Sequence, residues 1–538
     1  MKKLIFFLFT IFCALDTNAQ DNLSALLPYP NHIEQKQGVF RVLPAETVYS
    51  NSAELEFAQS ELKQIIKKRF GFEPKTAKNG KIRLLLNPQI AGNEQYKLLV
   101  DAKGITVEGK TPAGVLYGVL TLDQLLLGDV TNTRQGKVRS VFINDTPAYA
   151  FRALMLDPAR NFLPLDDVKF YIDQMTRYKY NVLQLHLTDD QGWRIEIKSH
   201  PKLTEIGAFR NPKAGKKAPD NGFYTQEELK ELVRYAAQRN VEILPEIDVP
   251  GHTVALLSAY PELRCDFLKD SVFDMNNKTF DMMLSAANQR VYEVLDDVIR
   301  ETSAIFPSKK IHLGGDESAV KKNWGKSPEN LQLMKEKGYT KPEQLMNVFF
   351  GNVLASVKKY GMHPILWCEL DNIYPPANGF LFDYPKDVTL LAWRGGLTQK
   401  CIELTAKSGN PIILAPGEHC YLDYPQYKND LPEFNNWGMP ITTLTKTYEF
   451  EPAYNFSPEQ TTHIQGVMGT LWGEAIKDIN RANYMTYPRG LALAEAGWTQ
   501  KTHRDWTSFK SRLYPNLVEL IKRGVSVRAP FEISDKRK

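Results

Sequence analysis

Asp316 and Glu317 are consecutive acids, reached through the run His312-Leu-Gly-Gly-Asp316-Glu317. Burying two carboxyls side by side raises the proton affinity of at least one of them. A general acid working near neutral pH needs that. The two glycines ahead of the pair let a ligand or another backbone come close. Either acid alone would serve as well at a helix N-terminus. Neighbouring side chains on an extended strand diverge, so the two acids divide the labour. Glu317 can protonate a leaving oxygen, and Asp316 acts on something else beside the reacting carbon.

Other polar and aromatic groups recur at similar places. Asp157 and Arg160 follow one apolar run, and Asp189-Asp190 follow the next. Glu246, Asp248 and His252 follow a third. His252 lies four residues after Asp248, with no His-Glu-x-x-His sequence, so it suits proton relay or orientation rather than zinc. No metal or cofactor is expected. Trp367-Cys-Glu369, Trp393-Arg394, Glu418-His419 and Trp472 close further runs. Trp367, Trp393 and Trp472 converging would make an apolar box for a methyl group and a sugar face, whereas Trp498 and Trp506 read as core. Tyr421 and Asp423 are two apart, as are Trp472 and Glu474. On extended chain each pair faces one way, giving one ring and one carboxylate for gripping hydroxyls.

Singly, each of these residues reads as a cap or a salt bridge. Together they require a scaffold that brings eight strand ends to one place. The runs Phe151–Leu156, Val182–Leu187, Val241–Ile247, Lys310–Gly314, Pro364–Cys368, Thr389–Trp393, Pro411–Ala415 and Gly466–Leu471 read as strands. Amphipathic helices fit between them, over Asp166–Tyr178, from the capping box at Thr225 to Arg239, Leu345–Tyr360 and Lys400–Lys407. Eight strand–helix units predict a (β/α)8 barrel over 149–538 with a C-terminal extension, and its active site at the C-terminal strand ends. A doubly wound sheet is the alternative, but no GxGxxG or Walker A loop supports it. Residues 21–148 read as a separate α+β unit. It has a helix over Ser52–Arg69, a strand at Ile82–Leu86, a hairpin at Tyr96–Val100 and Gly104–Gly109, and a helix over Ala113–Leu127. No acids, bases or nucleophiles combine there.

The chain carries 67 basic and 62 acidic residues in 538, a net +5 with no long block. That balance argues against nucleic acid or an anionic membrane as partner. Lys2 and Lys3, the apolar stretch Leu4–Leu15 and Thr17-Asn-Ala19 read as a signal peptide over 1–19, which predicts export to the periplasm or the medium. No stretch is long enough to span a bilayer. Cys13 would leave with the leader. Cys265, Cys368, Cys401 and Cys420 are too widely spaced for a zinc site or a disulfide scaffold, with one or two disulfides left open. Oligomeric state is left open too.

These motifs resemble those of the family 20 glycoside hydrolases, the exo-acting β-N-acetylhexosaminidases. The likeness lies in Leu156-Asp-Pro-Ala-Arg160, His186-Leu-Thr-Asp-Asp-Gln-Gly-Trp193, Pro245-Glu-Ile-Asp-Val-Pro-Gly-His252, His312 to Glu317, Tyr421-Leu-Asp423, Trp472-Gly-Glu474 and Tyr487-Pro-Arg489, in family order over about 150–500. Pro158 departs from the small or β-branched residue usual in its motif. The 21–148 unit looks like the small α+β domain that often precedes the barrel.

The resemblance implies a glycan substrate and substrate-assisted, retaining catalysis, an exception to the two-carboxylate scheme. The 2-acetamido oxygen is then the nucleophile and an oxazolinium the intermediate. It further implies Glu317 as general acid and then base, Asp316 on the acetamido N–H, and Tyr421 on its oxygen. Trp367, Trp393 and Trp472 would enclose the group. Arg160, Asp423 and Glu474 would bind the terminal sugar's hydroxyls, and Asp189 and His252 would support Glu317. The expected sugar is terminal N-acetylglucosamine, with N-acetylgalactosamine as the alternative. A disaccharide-releasing relative would need a deeper pocket than Arg160, Asp423 and Glu474 leave. A binding-only protein would have no use for Asp316, Glu317 and Tyr421 together.

Overall fold

The computed structural model describes residues 22–127, 136–210, 221–268, 274–276, 282–428, 430 and 438–533. The leader reading falls on residues outside this set. The N-terminal part is a seven-stranded sheet. Its strands are β1 (Ile33–Val42), β2 (Thr47–Ser50), β3 (Lys75–Thr76), β4 (Ile82–Leu86), β5 (Tyr96–Asp101), β6 (Gly104–Gly109) and β7 (Gly136–Asp145), in spatial order β1-β7-β5-β6-β4-β2-β3. β5 and β6 alternate buried with half-buried residues, as expected of a sheet with one face on a core.

Two helices, Glu56–Phe70 and Pro112–Leu126, pack with this sheet. The first stops at Gly71, whose φ of 78° is left-handed. The second is buried almost all round, the signature of a helix enclosed by protein on every side.

A closed parallel barrel follows. Its strands are β8 (Phe151–Leu156), β9 (Val182–His186), β12 (Glu242–Glu246), β13 (Lys310–His312), β14 (His363–Trp367), β15 (Thr389–Ala392), β16 (Ile412–Leu414) and β17 (Ile464–Gly469). A short ribbon, β10 (Thr188–Asp189) with β11 (Gly192–Trp193), rises after β9. Neighbours around the barrel follow chain order, and β17 closes on β8. All eight expected strands are present, β8 with the expected bounds and the other seven trimmed or shifted by one or two residues.

Every residue of β8 and β9 is buried, which is why these runs lack polar alternation. The helix Gln226–Gln238 opens on the expected capping box between Thr225 and Glu228. The helix Thr398–Ser408 ends at Gly409, φ 85°. Cys265, Cys368, Cys401 and Cys420 are buried free thiols, so no disulfide forms among the described residues.

The two parts share a polar and aromatic seam. Arg152 at the foot of β8 pairs with Glu94 at 2.9 Å. Trp498, at the end of the helix Arg489–Trp498, belongs to the core of the N-terminal sheet. Lys179 is buried 4.7 Å from the Trp498 ring. Burial pulls its pKa down to about 8, against the pull of Asp145.

Candidate active site

The acid pair stands directly after β13. Gly314 (φ 65°) and Gly315 (φ 95°) turn the chain there, in conformations that suit glycine. A Cβ on Gly314 would lie 1.7 Å from Asp248 Oδ1. Gly314→Ala is therefore expected to destabilise the fold by about 3 kcal/mol or to prevent soluble expression, through overpacking and strain. Urea denaturation beside the wild type checks this.

The turn sends the two acids to different surroundings. Asp316 is 6% exposed, and its Oδ1 has no protein partner among the described residues. The Glu317 side chain is 42% exposed and sits at φ 45°. Burial raises Asp316's pKa; His252 opposes this and Glu317 adds to it. Asp316 is thus the enclosed carboxyl, and Glu317 turns out toward the cavity.

His252 lies behind both acids. Its Nε2 is 3.8 Å from Asp316 and 3.9 Å from Glu317, and its Nδ1 shares a 3.3 Å hydrogen bond with Asp189 Oδ1. Burial works against the imidazolium, but Asp189, Asp248 and Asp316 hold its pKa well above the ordinary value. Burial likewise opposes the Asp189 carboxylate, which Arg160 and His252 hold well below the usual range. Asp189 itself lies beneath the cavity, touching it only through these two partners.

Around the acids is a cavity of about 670 Å³ lined by Arg160, His252, Asp316, Glu317, Trp393, Tyr421, Asp423, Trp472 and Glu474. Nine of the eleven residues expected at the site border it. Asp189 is one of the others, and Trp367 is the second, fully buried under the cavity floor. Trp367 stands 5.8 Å from the Trp472 ring and 6.4 Å from that of Trp393. Tyr421 completes the cage, nearly parallel to Trp393 at 6.5 Å.

Arg160 lies beside the cage, 4.9 Å from the Trp472 ring. It pairs with Asp157 at 2.8 Å, Asp189 at 2.9 Å and Glu474 at 3.5 Å. Asp423 Oδ1 is buried without a protein partner among the described residues. Burial, with Glu474 close by, pushes its pKa well up.

Tyr421 and Asp423 reach the cavity by a different route from the extended one expected. Gly417–Cys420 is a short helix and the chain turns after Tyr421. Arg489 fixes that turn by donating to the carbonyls of Leu422, Tyr424 and Thr442. His419 leaves the site for the Lys446 carbonyl, at 2.6 Å.

Buried polar groups support the cage from below. Glu246 accepts from Trp367 Nε1 at 3.0 Å and from Gln184 at 2.8 Å, and pairs with His186 at 2.7 Å and His312 at 3.0 Å. Two groups of ligand-type atoms, on His186, Glu246 and Asp248 and on Asp189, Asp248 and His252, each gather within 4.8 Å. Imidazoles and carboxylates balance one another's charge there.

Glu369 was visible only as an acid at a strand end, with nothing to say which way it points. It is buried, accepts from Trp393 Nε1 at 2.9 Å, and meets Arg394 Nη2 at 3.3 Å. Burial, opposed by Arg394 and helped by Asp316, pushes its pKa up to about 7. A carboxyl raised in the folded state stabilises it most below the unfolded pKa, and loses that contribution as pH rises through 7. From 4.5 to about 7 this amounts to about 3 kcal/mol. Glu369→Gln should lack the loss, so its melting temperature gains on the wild type between pH 5 and pH 8.

A second cavity of about 700 Å³ sits at the other mouth of the barrel, lined by residues such as Phe151, Ile243, Ile365 and His363. It holds no acid pair.

Known proteins resemble this chain along most of its length. A β-hexosaminidase of Akkermansia muciniphila is 36% identical over 488 residues, covering 89% of this chain and 92% of its own. A β-hexosaminidase of Vibrio furnissii is also 36% identical, over 89% of this chain and 77% of its own. Among solved structures, the GH20 exo β-N-acetylglucosaminidase of Vibrio harveyi superposes with a TM-score of 0.82 at 32% identity, covering 95% of this chain and 79% of that one. The model of the glycosyl hydrolase family 20 catalytic domain matches residues 149–501, and that of the family's domain 2 matches 23–146. The chain therefore belongs to glycosyl hydrolase family 20.

Proposed function

We propose that the protein hydrolyses terminal, non-reducing β-linked N-acetylhexosamine from glycans, with retention, using the substrate's own acetamido oxygen as nucleophile. One observation carries this reading. Asp316 offers a buried carboxylate oxygen without a protein partner inside an aromatic cage, while its neighbour Glu317 opens into the same cavity. A carboxylate so placed can hold an acetamido N–H and the positive charge that develops on the group. Glu317 gives its proton to the leaving oxygen as the acetamido oxygen bonds to C1 and the C1–O bond breaks. Water then attacks C1 of the oxazolinium as the C1 bond to the acetamido oxygen breaks and restores the acetamide, with Glu317 receiving the proton from the water.

In this reading Tyr421 donates to the acetamido oxygen, Trp393 and Trp472 flank the methyl group and the ring, and Trp367 backs them from beneath. Arg160, Asp423 and Glu474 grip the distal hydroxyls and close the pocket, so only chain ends enter. Asp189 orients His252 behind Glu317. The sugar is N-acetylglucosamine, and N-acetylgalactosamine is the variant to compare. The basic, apolar and small-residue order of 1–19 supports export.

The test pairs a chromogenic N-acetyl-β-glucosaminide with the matching β-glucoside. Release from the acetamido sugar alone supports the mechanism. Release from both means that a protein nucleophile exists.

A further inference from the structure

A cavity of about 460 Å³ lies where the N-terminal unit meets the flank of the barrel. Lys68 reaches it from the helix Glu56–Phe70, and Gln174 and Arg177 reach it from the helix Leu165–Arg177. Lys522 and Arg523 enter from the end of the helix Trp506–Lys522. Among the described residues, it shares no lining side chain with the catalytic cavity.

Positive charge is in excess here. Arg177 and Arg69 share the Asp123 carboxylate, at 2.7 Å and 2.5 Å, and Arg523 pairs with Glu519 at 2.7 Å. Lys68 and Lys522 are exposed and have no ion-pair partner among the described residues. On the same wall Asp173 is already bonded by Arg239 at 2.6 Å and Tyr235 at 2.7 Å, and burial makes Glu61 hold its proton more readily than usual. Lys68, Arg177 and Lys522 stand in the last turns of their helices, where a cation is favoured in any case. Two atoms beneath them have no such account. Arg177 Nε and Gln174 Oε1 are buried without a hydrogen-bond partner among the described residues, on side chains only 6% and 3% exposed. A buried donor and a buried acceptor left open cost stability until something pairs them.

We infer that this cavity binds a hydrogenphosphate group, either the free ion or the monoester of a sugar. Its oxygens accept from Arg177 Nε and from the ammonium groups of Lys68 and Lys522. Its own O–H donates to Gln174 Oε1. A phosphate monoester keeps that proton about half the time near pH 6. Sulfate matches the cations but has no proton to give, so the open acceptor selects phosphate. The cavity is larger than a bare phosphate, which leaves room for an attached sugar. Because the partners come from both parts of the chain, the bound group ties the N-terminal unit to the barrel. The inference stands apart from the reaction proposed above.

Isothermal titration calorimetry at about pH 6 and constant ionic strength tests this with sodium phosphate, glucose 6-phosphate and sodium sulfate. The wild type is expected to bind at least one phosphate compound saturably, about tenfold or more tighter than sulfate. Lys68→Gln combined with Lys522→Gln should weaken that binding about tenfold or more. Lys63→Gln combined with Lys67→Gln removes the same charge outside the cavity and should leave the affinity within about twofold. Tighter binding of glucose 6-phosphate than of the free ion supports a sugar phosphate as the ligand, and the reverse supports the free ion. The absence of saturable binding with both phosphate compounds overturns the site. Sulfate bound as tightly as phosphate overturns it too, as does an equal loss in the two double variants.

Discussion

Glu317→Gln removes turnover of poor leaving groups, by about 10²–10⁴-fold in kcat, while binding of the terminal sugar survives. Gln fills the same space at φ 45° but has no proton to give. Leaving groups that depart as stable anions need none, so the loss should shrink as the leaving-group pKa falls. A series of aryl and alkyl N-acetyl-β-glucosaminides measures this as a steeper dependence of kcat/KM on leaving-group pKa in the variant. An unchanged rate on alkyl or sugar aglycones would remove Glu317 from its role as acid.

Asp316→Asn is expected to cost about 10²–10³-fold in kcat, and to cost it on good and poor leaving groups alike. Its carboxylate is assigned to the acetamido group, which must be held and charged in every reaction whatever departs. Asn preserves the volume but cannot balance the developing positive charge. The same substrate series separates the two acids, since a loss that followed leaving-group pKa would place Asp316 in proton transfer. A pH profile adds a second readout. Burial raises Asp316 above the usual aspartate range, and only its ionised form serves, so activity should rise with pH through that higher value. Asp316→Asn should lose this acidic limb.

Much of the molecule was legible along the chain. A parallel strand buried on both faces announces itself as a short apolar run, and β8 and β9 are such runs. Caps are equally local, as at Thr225 and Gly409. Since a barrel gathers its C-terminal strand ends, eight strands were enough to place Arg160, Glu317, Trp393 and Glu474 at one mouth.

Other features are decided by loops and by ring closure, which no window of sequence contains. The short helix Gly417–Cys420 sends His419 away and still delivers Tyr421 and Asp423, because Arg489 pins the turn after them. Trp367 lies beneath the cavity rather than in its wall, with its indole N–H held by Glu246 two strands away. Two adjacent acids acquired different environments because glycine turns rotated one inward and the other outward. The sequence by itself determined the strands, the caps and the chemistry available at each strand end, since these depend on near neighbours. Only the tertiary structure decided which ends face each other across the barrel and which carboxyl is buried. Those depend on contacts between residues far apart in the chain.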